Sequence, residues 1–283
     1  MLGQYLITFR EALEAALVIA IILSYLVRSR KKSLIRYIWY GLFLAMVASF
    51  SLGAFIWFSY RGLPEMYEPL FEGIAKFVAV AVLSTMIYWM AIRGKHIKQE
   101  MEERLETITS RGTIIGLVSL GFVVVFREGL ETVLFLTPLL VEDSIATGIG
   151  MSAGIITAIL LAYAIFVVGI KINLQKFFYF TSIMLILLAG GLAGSGVHEL
   201  LEYSEKAGFA AGWLATPAYA LNIPVGSPFR DEGIIGSILA VLFGYTISAE
   251  WARVIVHVAY LAIALPLVIW IYREQSKQTP AAL

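Results

Sequence analysis

Seven runs of mainly apolar residues follow one another along this chain, near residues 3–27, 36–60, 70–92, 113–140, 147–170, 177–201 and 250–272. Each is long enough to cross about 30 Å of hydrocarbon as a helix. A bilayer core holds no water to satisfy exposed peptide groups, so runs that are apolar throughout must close their hydrogen bonds within the segment. The predicted fold is therefore all-α, a polytopic membrane protein with seven transmembrane helices. A 283-residue chain that is 60% hydrophobic, 14% charged and +0.84 in mean hydropathy is no ordinary soluble domain. Residues 233–247 add an apolar run of 15, short for a crossing, which predicts a short re-entrant or interfacial helix before the last span. Cysteine is absent, which removes disulfides, thiolate metal ligands and thiol catalysis together. Met1 to Phe9 lacks the basic region of a secretory signal and runs straight into the first apolar run, which is expected to stay as a span.

Alternate loops fall on opposite sides of a membrane, and the basic residues divide unevenly between them. One set of loops carries 14: Arg28, Arg30, Lys31, Lys32, Arg36, Arg93, Lys95, Lys98, Arg104, Arg111, Lys171, Lys176, Arg273 and Lys277. The other carries only Arg61, Lys206 and Arg230. The positive-inside rule then predicts a multi-pass protein of the plasma (cell inner) membrane, with the N-terminus outside and the C-terminus cytoplasmic. Tyr37, Trp39, Tyr40, Trp89, Trp270 and Tyr272 mark the inner ends of the spans, and Trp57, Tyr60 and Trp251 the outer ends. Of the 20 acidic residues, 11 fall at or near the outer face, among them Glu65, Glu68, Glu142, Asp143, Asp231 and Glu232. A negative outer mouth would concentrate cations and steer them inward.

Within this apolar background one charged pentapeptide occurs twice: Arg10-Glu11-Ala12-Leu13-Glu14 and, 117 residues later, Arg127-Glu128-Gly129-Leu130-Glu131, each after a phenylalanine. An ionised side chain at the centre of a bilayer costs roughly 2.5 to 3.5 kcal/mol on insertion scales, so such residues are read as functional. The copies fall in the first and fourth spans, so the repeating unit is three helices. An odd number of crossings inverts the second unit relative to the first, giving an inverted 3+3 repeat plus a seventh helix. The chain is thus expected to be a single transmembrane domain: repeat one about 1–94, repeat two about 112–202, an outer loop with the short helix at 203–248, and the last span at 249–272. Inverted repeats place substrate near the midplane between corresponding helices.

Residues three apart on a helix lie about 60° apart around its axis, so Glu11 and Glu14 share one side, as do Glu128 and Glu131. Two such helices face to face make a four-carboxylate cage. Arg10 and Arg127 each precede a glutamate by four residues and are expected to neutralise or orient it. With two carboxylates and one guanidinium per copy, the set has a net charge of −2 and suits a hard cation held through oxygen. The predicted metal residues are Glu11, Glu14, Glu128 and Glu131, with Arg10 and Arg127 in support.

The doubled Arg-Glu-x-Leu-Glu motif, in the first and fourth of seven spans, closely resembles the oxidase-dependent iron transporter family of fungal high-affinity iron permeases and bacterial EfeU-like permeases. Gly236 to Tyr245, with a Gly-Tyr pair before the last helix, is similar too. The resemblance implies an iron permease of the plasma membrane and not an enzyme. Iron is its cargo, no cofactor is implied, and the four motif glutamates contact the metal. It also implies a partner, an oxidase or a periplasmic or extracellular iron-handling protein that hands over the ion. The fungal members have longer outer loops with acidic motifs of their own, whereas the outer loops here are short.

The motif leaves two other functions open, transport of another cation such as lead or manganese, and a membrane di-iron oxidase. The second fits less well, because such sites pair Glu-x-x-His motifs and neither pentapeptide holds a histidine.

A second candidate lies at the outer end of the sixth span, where His198, Glu199 and Glu202 supply three oxygen or nitrogen donors within about a turn, with Glu72 at the outer start of the third. A possible outer metal site is set there against a solvated helix end. Glu72 with Lys76, and Glu250 with Arg253, have the spacing of helix-end pairs. Ala189 to Gly196 is almost all small residues, which lets a helix pack closely. Pro138 is expected to kink the fourth span. The charged stretch Lys95 to Thr109 is expected to be a helical cytoplasmic loop. No phosphate-binding loop, nucleophile elbow or nucleic-acid surface is present, so the partners are the iron ion, its donor protein and the lipid bilayer.

Overall fold

The computed structural model describes residues 2–93, 97–110, 113–165, 174–209, 212–224, 226–230 and 233–277. Lys95, Arg111, Lys171, Asp231 and Glu232, and the end of the fifth predicted span at 166–170, lie outside the described residues. Helices dominate: α1 (Leu2–Arg28), α2 (Ile35–Arg61), α3 (Glu68–Arg93), α4 (Ile97–Ser110), α5 (Ile114–Glu142), α6 (Ser144–Tyr163), α7 (Leu174–Lys206), α8 (Ile234–Phe243) and α9 (Trp251–Lys277). Strands β1 (Pro217–Ala220) and β2 (Ser248–Glu250) form an antiparallel two-stranded ribbon before α9.

A long helix stands at each of the seven apolar runs, and α8 occupies the short one. Among the described residues, five helices are long and apolar enough to cross a membrane: α2, α3, α6, α7 and α9. The chain is a helical, membrane-embedded protein. Helices α1 and α5 are as long, at 27 and 29 residues, and it is the charged pentapeptide that sets them apart from those five. Large apolar side chains stay uncovered where lipid would lie, with Phe50 of α2 80% exposed.

Contacts divide the chain into two compact units interleaved along the sequence. The first comprises α1, α2 up to Phe58, α4, α5 and α6. Ile19, Ile22 and Leu26 of α1 share a buried cluster with Ile38 of α2, Met101 and Leu105 of α4, and Leu117 and Leu120 of α5. Helix α4 therefore lays an apolar edge on the ends of three long helices, while its charged edge reaches out, with Arg28 of α1 paired to Glu102 at 2.8 Å.

The direction of each helix follows from these contacts. The C-terminal half of α1 clusters with the start of α5, whereas Glu11, near the start of α1, meets Glu128 and Glu131 far along α5. So α1 and α5 run antiparallel. Helices α2 and α5 rise together, with Ile38 beside Gly121, Ser49 beside Gly129 and Gly53 beside Val133. Their closest approach is at Gly41, where a Cβ would strike the backbone of Val118 and Phe122, so only glycine lets the two main chains touch there. Helix α5 runs unbroken through Pro138 to Glu142, and Asp143 alone turns the chain into α6. The Asp143 carboxylate accepts from the backbone N–H of Ile145 (3.1 Å) and Ala146 (2.9 Å), satisfying two of the four free donors of the new helix.

The second unit holds α3, α7, α8 and α9 with the ribbon. Helices α7 and α9 run antiparallel, joined by Ser182 and Tyr272 (3.3 Å) at one end, while at the other His198 of α7 meets Glu250, the last residue of β2 just before α9 (2.9 Å). Between them lies the small-residue stretch: Gly190 faces Leu261 of α9, and Gly196 faces Lys76 and Phe77 of α3. Helix α8 is 10 residues, about 15 Å at 1.5 Å per residue, half the thickness of a hydrocarbon core. It stops where Gly244 turns left-handed at φ 61°.

Candidate metal centre

Both pentapeptides sit in helix interiors, at residues 10–14 of a helix spanning Leu2–Arg28 and residues 127–131 of one spanning Ile114–Glu142. Nothing in either motif breaks a helix: alanine, leucine, glutamate and arginine are all strong helix formers, and Gly129 is the one residue with a poor propensity. Its place is explained by packing, since a Cβ there would collide with the Ser49 hydroxyl of α2. The equivalent position of the first copy is Ala12.

Glu11, Glu128 and Glu131 each bring a carboxylate oxygen within 4.8 Å of the others, and all three are buried. This is the one such group of three acidic, histidine or cysteine residues among the described residues. Oxygens cis and trans around a small hard cation stand roughly 3 and 4 Å apart for metal–oxygen distances near 2.1 Å. The spacing of the triad, up to 4.8 Å, is of that order and somewhat wider.

The arginines complete the set. Arg10 is 1% exposed, with Nη1 at 2.7 Å from Glu11 Oε1 and Nη2 at 2.7 Å from Glu14 Oε1. Arg127 reaches Glu131 Oε1 with Nε at 2.9 Å and stands 4.0 Å from Glu128, and its side chain is 41% exposed. One oxygen, Oε2, of each of Glu11, Glu128 and Glu131 is buried with no hydrogen-bond partner. Leaving a buried polar atom unpaired costs about 1 to 3 kcal/mol. All three belong to the residues of this triad.

Glu14 stands outside the triad, held by Arg10, so the structure gathers three of the four motif carboxylates and sets the fourth one turn away on its arginine. The outer candidates are not brought together. His198 pairs with Glu250 (2.9 Å), Glu199 with the buried Lys76 (2.9 Å), Glu202 with Lys206 (2.9 Å), and Glu72 accepts from the Tyr60 hydroxyl (3.0 Å). Glu250 thus takes His198, and the expected pair with Arg253 does not form, because the antiparallel packing of α7 on α9 sets the imidazole beside that carboxylate.

Two features near the centre were not anticipated. Tyr5 stacks on Phe9 (ring centroids 5.8 Å apart) and Phe122 on Phe126 (5.1 Å), each pair one turn before its pentapeptide. An aromatic residue four places before each phenylalanine is plain in the sequence and extends the repeat by a turn. Ser49, buried beside Gly129, had no such signal, being one hydroxyl in an apolar run.

Residues 1–270 match the iron permease FTR1 family. The chain is 42% identical over 282 residues to an uncharacterized protein of Archaeoglobus fulgidus, covering 100% of this chain and 98% of that one. It is 34% identical over 270 residues to the ferrous iron permease EfeU of Yersinia pestis, covering 94% and 93%. Against EfeU of Escherichia coli O6:H1 it is 32% identical over 268 residues, covering 94% of each. No solved structure matches the chain. With the match running through both pentapeptides and nearly the whole membrane region, the chain belongs to the iron permease FTR1 family.

Proposed function

We propose that the protein is a permease that carries iron ions inward across the plasma membrane, holding each ion between α1 and α5 on Glu11, Glu128 and Glu131. The observation that carries this is the triad of buried carboxylates within 4.8 Å, three of whose oxygens have no other partner. The relatives named as ferrous iron permeases favour iron over other hard cations. Glu14, one turn from the triad, completes the ligand set when Arg10 releases it. Glu72, Glu199, Glu202 and His198, each in its own pair, serve as an acidic mouth that attracts cations and not as one ligand set. An oxidase or other iron-handling protein outside the cell would deliver the ion.

The architecture belongs to the same proposal: seven spans in one permease domain, the first three helices repeated in inverted form by α5, α6 and α7, the N-terminus outside and the C-terminus inside. In support, α1 and α5 run antiparallel and carry the same motif, as an odd-numbered repeat requires. Corresponding helices also cluster together, α1 and α2 with α5 and α6 in one unit and α3 with α7 in the other. Rocking of the repeats would expose the site to each side in turn.

The test is uptake of radioactive iron into proteoliposomes. Glu131→Gln and Glu11→Gln keep the shape of the side chain and remove its charge, and each should abolish uptake while the protein still purifies as a folded species. Uptake at the normal rate by either variant refutes the assignment.

A further inference from the structure

The two motif arginines differ in one respect that the repeat does not explain: Arg10 is 1% exposed and Arg127 41%. An exposed guanidinium on a helix within a membrane is costly against lipid and comfortable against water. Toward the N-terminal end of α5, that helix and α4 line an open groove of about 640 Å³. From α4 it is lined by Glu100, Glu103, Arg104 and Thr107, and from α5 by Gly116, Ser119, Leu120 and Val123. Gly116, Leu120 and Val123 fall at i, i+4 and i+7, one stripe of the helix, and Arg127 at i+11 continues that stripe to the metal centre. The groove follows α5 from Gly116 to Val123, seven residues or about 10 Å. That is about a third of a 30 Å hydrocarbon core; the α4 side carries Glu100, Glu103, Arg104 and Thr107 beside Ile108, and Ser119 is the polar side chain of the α5 side.

We infer that the groove between α4 and α5 is a water-filled vestibule through which a hydrated metal cation leaves the carboxylate triad for the cytoplasm, with Arg127 the gate at its head. This rests on the permease function proposed above. Arg127, 41% exposed and four residues beyond Val123 on the same stripe of α5, is bonded to Glu131, a triad member. When Arg127 swings toward the water, Glu131 loses its counter-charge on that side and the ion gains an aqueous route outward from the site. Arg10, 1% exposed and paired to Glu11 and Glu14, offers no such water-facing side. The lining of the groove has two carboxylates against the one guanidinium of Arg104, a net negative wall suited to a departing cation.

The absence of cysteine makes the test direct, because any cysteine introduced is unique. Val123→Cys and Ser119→Cys are near-isosteric, with Thr107→Cys on α4 marking the side of the membrane and Phe50→Cys of α2 marking lipid. In sealed vesicles of each orientation, a charged, membrane-impermeant thiol reagent should label positions 123 and 119 from the same side as position 107 and from that side only. Position 50 should stay unlabelled from both. Labelling position 123 should also stop iron uptake. The inference is overturned if position 123 is unreactive from both sides, or if its labelling leaves uptake at the control rate. Should the unmodified chain carry no iron at all, the permease function fails, and the labelling pattern still decides whether the groove holds water.

Discussion

Replacing Arg10 by glutamine should cost far more stability than the same change at Arg127, although the two occupy equivalent places in the repeat. The difference follows from burial. Arg10 is 1% exposed and lies 2.7 Å from each of two carboxylates, both under 9% exposed. Removing one partner of a buried ion pair costs about 3 to 5 kcal/mol, because the other charge is left without compensation. Arg127 is 41% exposed, with its Nε 2.9 Å from Glu131, so solvent screening reduces its loss to about 1 kcal/mol. At about 2 to 4 °C per kcal/mol for chains somewhat shorter than this one, Arg10→Gln should lower the melting temperature by roughly 6 to 20 °C and Arg127→Gln by roughly 2 to 4 °C. Thermal unfolding of purified protein in detergent, followed by the fluorescence of its six tryptophans, reads both. A second arm isolates the cause: Glu14→Gln in the Arg10→Gln background removes one of the two stranded charges and should recover part of the loss. Equal drops for the two arginine variants, or a double variant that falls by the sum of the singles, would refute the argument from burial.

Gly129→Ala pushes a methyl group into the Ser49 hydroxyl and should cost about 1 to 3 kcal/mol as an overpacked contact; Ser49→Ala added to it, which removes the hydroxyl and leaves the Cβ at 2.8 Å, should recover part of the lost melting temperature. Lys76 is fully buried between Ser195 and Glu199, so Lys76→Met should destabilise by about 3 to 5 kcal/mol. Lys76→Met with Glu199→Met should recover most of that, and a double variant no better than the single would show that the pair is not the cause. At Gly244, held at φ 61°, alanine should cost about 1 to 2 kcal/mol, seen as a small fall in melting temperature.

Hydropathy made the long helices legible because a bilayer punishes every unsatisfied peptide group, so length and apolarity alone mark them. The motif was legible for the opposite reason, since charges in such helices stand out. What spacing could not reveal were partners brought from far along the chain. Glu199 finds Lys76 at a separation of 123 residues and His198 finds Glu250 at 52, so an apparent ligand cluster at 198–202 dissolves into separate pairs. Spacing suggested Arg253 for Glu250, and packing of α7 on α9 chose otherwise. The ribbon of Pro217–Ala220 with Ser248–Glu250 left no trace either, because a strand of three or four residues shows no readable alternation and opens here on a proline. Within the centre itself, face-to-face glutamates were expected from helical geometry. That Glu14 would lie on Arg10, outside the triad, depends on side-chain torsions that no sequence pattern encodes.

The ion pairing inside α1 has a consequence for biosynthesis. At 5 to 20 residues per second, the ribosome needs roughly 6 to 23 s to make the 117 residues that separate the second pentapeptide from the first. During that interval α1 must enter the bilayer carrying three charges and no partner helix. Arg10 already holds Glu11 and Glu14 at 2.7 Å within the same helix, so the segment brings its own counter-ion to the translocon and is inserted with one net charge instead of three separate ones. The same bridges that shape the centre in the finished permease thus let its first half wait, soluble in lipid, for the second.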